Sequence, residues 1–183
     1  MAVSPFDSAL LGPLFGDAEA AAHFTDAAEV AALVAVERAL ARAEGATGVI
    51  PAEAAAAISD SLAGFAPDPA ALAAGTVSAG VQVPALVAAL RKPLAPEAAQ
   101  WLHWGATSQD IVDTALALRL KPVLALLDAR LAGLSDTLAR AARRWRDLPL
   151  AGRTRSQVAA PGGRGRRAAS AAAGASGRRA SRR

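Results

Sequence analysis

The chain has 183 residues, 53% of them apolar, no cysteine and a formal charge of +4. That is long enough for one ordinary domain with a sizeable core, and the missing cysteines exclude thiol nucleophiles, disulfides and Cys-ligated zinc. The +4 is lopsided, since residues 1–161 carry 13 Lys+Arg against 16 Asp+Glu while residues 162–183 carry seven Arg and no acid, which argues against reading the whole chain as a nucleic-acid binder.

Alanine is abundant, tyrosine is absent and β-branched residues never alternate with polar ones over a useful length. The expected class is therefore all-α. A short helix follows Gly16-Asp17. Thr25-Asp26, with Glu29 three residues beyond Asp26, reads as an N-terminal capping pattern. It leads into Val30, Leu33, Val34, Val36, Glu37 and Leu40, and Gly45 and Gly48 are expected to end that helix. Pro51 suits the start of the next, which runs through Ile58 and Leu62 to Gly64. After the Pro67/Pro69 break, short helices are predicted near 69–76 and 83–92, completing a multi-helix N-terminal domain over 1–107.

From Ser108 the pattern changes. Ala117, Leu120, Leu124, Leu127, Leu131, Leu134, Leu138, Ala141 and Trp145 recur at three- and four-residue spacing. This is the seam of one long bundle helix, kinked at Pro122 but in phase on both sides of it. At ~55 Å and 1.5 Å per residue, such a helix needs partner helices to cover its stripe. Residues 108–161 are accordingly read as the start of an incomplete central bundle domain. Residues 162–183 use only Ala, Gly, Arg and Ser, and with no apolar side chain larger than Ala they are expected to form a disordered tail. A GC-rich gene read out of frame gives the same four-letter alphabet.

No uninterrupted apolar run approaches the roughly 20 residues of a membrane span, and the start lacks a basic leader. The expected location is cytoplasmic, with no membrane partner.

The densest chemistry lies in Trp101-Leu102-His103-Trp104-Gly105-Ala106-Thr107-Ser108-Gln109-Asp110, which runs into Asp113-Thr114-Ala115. An imidazole, a hydroxyl pair, an amide and a carboxylate sit where the long helix opens. Its unpaired N–H groups and positive dipole end favour anions there. Other readings stand beside this one. Ser108 is a good N-cap for a helix starting at Gln109, and Asp110 complements the dipole. With Ser108 capping, Thr107 is better explained by ligand contact. His103 could be a satisfied structural histidine between Trp101 and Trp104, or a carboxylate donor or proton relay. His23 matches no motif and receives no role.

These residues, with Gly152-Arg153-Thr154-Arg155 some 40 positions on, resemble the fumarase/aspartase superfamily over residues 5 to about 161. Phe6-Asp7, Leu14-Phe15-Gly16-Asp17, Val36-Glu37-Arg38-Ala39-Leu40, Gly48-Val49-Ile50-Pro51 and the Trp beside the His favour its 3-carboxy-cis,cis-muconate cycloisomerase branch. The resemblance implies a mostly helical protein whose long helices assemble in a homotetramer, with active sites built from three subunits. It implies the reversible cyclisation of 3-carboxy-cis,cis-muconate to a lactone in protocatechuate degradation, without metal or organic cofactor. The small polycarboxylate substrate would be held by Thr107, Ser108, Gln109, Thr154 and Arg155, with His103 the catalytic candidate. Preorganised donors would stabilise the extra negative charge of the intermediate.

Arg155 stands where adenylosuccinate lyases carry the His of a Thr-His pair. An arginine is a carboxylate clamp rather than a proton donor, so an adenylosuccinate-lyase-like C–N or C–O lyase is the weaker of the two enzymatic readings. Complete relatives continue beyond the proline at Pro161 with another long helix and a glycine-serine loop carrying the catalytic base. Neither is present here, so this chain by itself is expected to be an inactive, truncated form. A third reading treats it as a non-catalytic fragment whose Arg-rich tail binds nucleic acid. The tail's lack of aromatics and the acidic body argue against that.

Overall fold

The computed structural model describes residues 4–153 and 158–180. Two compact units divide the chain, Met1–Val123 and Leu124–Arg183.

In the first unit, capping side chains start the helices where the sequence places them. Asp17 accepts from the Ala20 N–H ahead of α2 (Ala18–Ala21), which follows α1 (Gly12–Phe15) and leads into a 3-10 turn at Ala22–Phe24. Thr25 Oγ1 accepts from the Ala28 N–H at 3.2 Å and opens α3 (Asp26–Thr47). Glu29 takes no part in that cap. Its carboxylate instead meets Gln82 Nε2 at 2.7 Å and Arg119 Nη1 at 3.4 Å, tying α3 to later elements.

Only one of the two glycines expected to end α3 does so. Gly48 adopts a left-handed φ of 72° at the C-cap, which a side chain would strain. Gly45 lies inside the helix, where an added Cβ would stand 2.4 Å from the Ala55 Cβ. Its role is close approach: it lets α3 pack along α4 (Ala52–Ser61), whose N-cap is Pro51. Gly75 does the same between α5 (Pro69–Ala79) and α6 (Val83–Arg91), with Ala85 as the neighbour. A short α7 (Pro96–Ala99) precedes α8 (Ser108–Arg144). Leu33, Ile58, Leu62, Leu86, Leu90, Leu102 and Ile111 are fully buried and form one core with Val30, Val34 and Ala115. Burying each large side chain contributes about 1.5–3 kcal/mol. Ile111 and Ala115 anchor the opening turns of α8 in that core, and so fix the segment just before it.

As expected, α8 is a single helix through Pro122. Much of its apolar seam is open: Leu120, Leu124 and Leu134 are 36%, 49% and 47% exposed, as is Leu116 at 39%. No helix among the described residues is long and apolar enough to cross a membrane.

The second unit departs from the sequence reading twice. Strands β1 (Pro149–Arg153) and β2 (Val158–Gly163) pair antiparallel, with a register shift between Leu150 and Gly152. The all-α class thus carries one local antiparallel strand pair without polar/apolar alternation, which backbone pairing does not require. Residues 164–180 were expected in a disordered tail. They form α9 (Arg164–Ala180). Ala and Arg are strong helix formers, and the segment contains no proline. Small side chains replace a large core: Ala175 is fully buried, and Ser135 Oγ meets Ser176 Oγ at 2.9 Å. The Gly165 N–H donates to the Trp145 carbonyl, and a Cβ at Gly165 would stand 2.7 Å from the Ala142 carbonyl oxygen.

Candidate functional site

Helix α8 begins at Ser108, one residue earlier than the capping argument placed it. Thr107 occupies the cap position, and the Asp110 carboxylate reaches back to accept its backbone N–H at 3.0 Å. Asp110 thus has the helix-stabilising part expected of it. The Thr107 and Ser108 hydroxyls make no hydrogen bond among the described residues; Thr107 is exposed and Ser108 half-buried. The Gln109 amide donates to Asp113 Oδ1 at 2.6 Å, one turn on along the exposed side of the helix.

His103 sits in the turn before this helix with φ of 63°, and Gly105 follows at 66°. The left-handed region costs a side-chain-bearing residue about 1–2 kcal/mol, so the surrounding contacts must hold it. Arg91 Nη2 donates to the Leu102 carbonyl at 3.3 Å, and Leu102 itself is fully buried. Trp101 and Trp104 touch each other, their ring centroids 4.7 Å apart.

The main partner of the imidazole comes from α3. His103 Nδ1 lies 2.7 Å from Glu37 Oε1, and Glu37 has no exposed surface. Among the described residues Glu37 Oε2 has no hydrogen-bond partner although it is buried, and the same holds for Oε2 of Glu44, two turns further along α3. Burial pushes the Glu37 carboxyl above the usual carboxylate range. His103 and Arg91 oppose that shift, and the charge of Glu44 adds to it. Burial raises Glu44 as well, again opposed by His103.

His103, Ser108 and Arg91 share a cleft of about 290 Å³ with Val83, Pro84, Val87 and Ala88. Thr107 and Gln109 do not line it, and Thr154 and Arg155 lie outside the described residues. The sequence reading missed Glu37, Glu44 and Arg91 as members of this site. A signal existed for the two acids, which fall in phase with the buried stripe of α3 (Val30, Leu33, Val34, Ala41), where an unpaired charge is costly.

The chain thus opens a long helix on hydroxyls that have no hydrogen-bond partner among the described residues, beside a histidine backed by a buried carboxylate. The sequence profile of the lyase family matches residues 15–179, and the chain belongs to that family. It is similar to 3-carboxy-cis,cis-muconate cycloisomerase from Pseudomonas aeruginosa, with 44% identity over 76% of this chain and 31% of the relative. The crystal structure of 3-carboxy-cis,cis-muconate lactonizing enzyme from Pseudomonas putida superposes with a TM-score of 0.87 at 36% identity, over 94% of this chain and 40% of that one. A fumarate lyase from Mesorhizobium sp. BNC1 gives 0.83 at 37% identity, over 90% and 38% respectively. The fold is that of the fumarate lyase superfamily. The chain spans about a third of the length of the curated relatives it matches.

Proposed function

We propose that this chain forms one wall of a site for 3-carboxy-cis,cis-muconate or a closely related polycarboxylate. The reaction is its reversible lactonisation in aromatic degradation, in the cytoplasm. Ser108 and Thr107 are the carboxylate contacts at the start of α8, His103 faces the same substrate, and Thr154 and Arg155 contribute a clamp. Gln109 has a lesser part, since its amide is held by Asp113. The observation that carries this reading is the pair of hydroxyls at a helix N-terminus with no hydrogen-bond partner among the described residues, one of them in a cleft with an imidazole and a guanidinium. The open Leu face of α8 supports completion of the site by further helices in a homotetramer, and the 183-residue chain alone has no turnover.

Two assays test this. A spectrophotometric lactonisation assay on the purified chain is expected to read baseline, and ordinary rates would overturn the claim of incompleteness. A chimera replacing the matching N-terminal third of the P. aeruginosa relative with residues 1–161 is expected to lactonise. In that chimera Ser108→Ala should lower kcat/KM on the order of 10²-fold, as loss of an oxyanion donor does. A chimera indifferent to Ser108→Ala would refute the assignment of that hydroxyl.

A further inference from the structure

Glu37 is the only buried charged residue of the described core, and its burial needs a reason. It stands on α3, 66 positions from the histidine it meets. The contact is short at 2.7 Å, and the histidine that makes it holds a left-handed backbone. Nothing else among the described residues satisfies the pair from behind: Glu37 Oε2 has no partner there, and neighbouring Glu44 adds a second buried oxygen in the same condition. Arg91, the nearby cation, spends a donor on the Leu102 carbonyl. The imidazole is the one hydrogen-bond partner of Glu37 among the described residues.

The 2.7 Å contact between a ring nitrogen and a carboxylate oxygen holds one proton. With Glu37 ionised, the form that His103 and Arg91 favour, its oxygens can only accept, so the proton sits on Nδ1. A ring nitrogen fixed in this way dictates the state of the other. Nε2 is the ring nitrogen that Glu37 does not engage, and the His103 side chain, 17% exposed, lines the cleft with Ser108.

We infer that Glu37 is a positioning residue: it holds His103 as the Nδ1–H tautomer, so that the Nε2 lone pair is what the cleft presents for proton exchange with a ligand. When Nε2 takes up a proton, the imidazolium is neutralised by the carboxylate behind it; when it gives the proton up, the tautomer is restored. The use made of Nε2 rests on the proposed function. The tautomer does not, and it is read without substrate.

The test is nitrogen-15 NMR of the imidazoles in the full 183-residue chain, which has only two histidines, so that His23 serves as an internal reference. At a pH where both rings are neutral, His103 is expected to show a protonated Nδ1 and an unprotonated Nε2, the reverse of the form favoured in water. His103 as Nε2–H would overturn the inference. In Glu37→Leu, checked for fold by circular dichroism, the pattern should revert toward Nε2–H. A folded Glu37→Leu that keeps Nδ1–H would equally sink the assignment to Glu37, and if this variant does not fold the wild-type pattern alone decides. Neither result depends on whether the chimera lactonises.

Discussion

The contact between Gly45 on α3 and Ala55 on α4 supports a quantitative test of how the first unit is built. A Cβ at position 45 would stand 2.4 Å from the Ala55 Cβ, more than 1 Å inside the roughly 3.5–4.0 Å at which carbon atoms attract. The methyl of Ala55 is fixed to its backbone and has no rotamer by which to withdraw, so α3 and α4 must move apart. Gly45→Ala gains about 1 kcal/mol of helix propensity and incurs an overpacking cost of about 1–3 kcal/mol, leaving a net loss of up to about 2 kcal/mol. Ala55→Gly alone loses about 1 kcal/mol of propensity. The double variant Gly45→Ala/Ala55→Gly exchanges the two residues across the contact and removes the clash. Propensities cancel in the cycle, so the coupling energy isolates the steric term, which should be stabilising by about 1–3 kcal/mol. Urea unfolding of the four proteins, followed by far-UV circular dichroism, measures it. Additivity within about 0.5 kcal/mol would refute the claim that position 45 is a glycine because of Ala55.

Three further outcomes are expected. The Glu37 carboxyl is raised by burial, so its folded pKa exceeds its unfolded value; between the two the unfolded chain has already lost a proton that the folded chain keeps. Stability from this group is therefore full below 4.5 and falls as pH rises through the folded value, and Glu37→Gln should flatten that part of the urea-midpoint profile; a slope unchanged in the variant would place the linkage elsewhere. Leu86→Ala, at a fully buried position of α6, should cost about 2–5 kcal/mol by chemical denaturation, and a cost below about 1 kcal/mol would show that the core collapses around the gap. Thr25→Ala removes the hydroxyl that caps α3 and should cost about 0.5–2 kcal/mol, most of it recovered in Thr25→Ser.

How much of this was legible in the sequence follows from what local patterns encode. The starts of α2, α3 and α5 rest on a side chain accepting from a backbone N–H two or three residues on, an event contained within one turn and so visible in a line of text. The passage of α8 through Pro122 was equally readable, because the apolar phase is the same before and after it. Gly45 and Gly48 look alike in sequence, yet one ends the helix and the other admits a neighbour, a difference set by Ala55 ten residues away. The hydroxyl pair announced a helix start to within one residue. Its companions in the cleft did not announce themselves: Arg91 meets the Leu102 carbonyl across 11 positions and Glu37 meets His103 across 66. Periodicity says that Glu37 points inward but not what it meets there. The helix at 164–180 was missed for a different reason, since close approach of backbones substitutes for the large apolar side chains that a composition argument looks for.

The burial of Glu37 bears on how genetics at position 103 can be read. One nitrogen of that ring is claimed by the interior of the protein, and deleting it strands a carboxylate that has no route to water. Leaving a buried hydrogen-bonding group without its partner costs about 1–3 kcal/mol, and more when the group is charged, a large share of the total stability of a small domain. An alanine at this position would thus lower the amount of folded protein before any question of chemistry arises, and a simple loss of activity there would carry no mechanistic weight. Separating the two roles takes a paired design, in which His103 is changed only in a background where position 37 has already been made apolar.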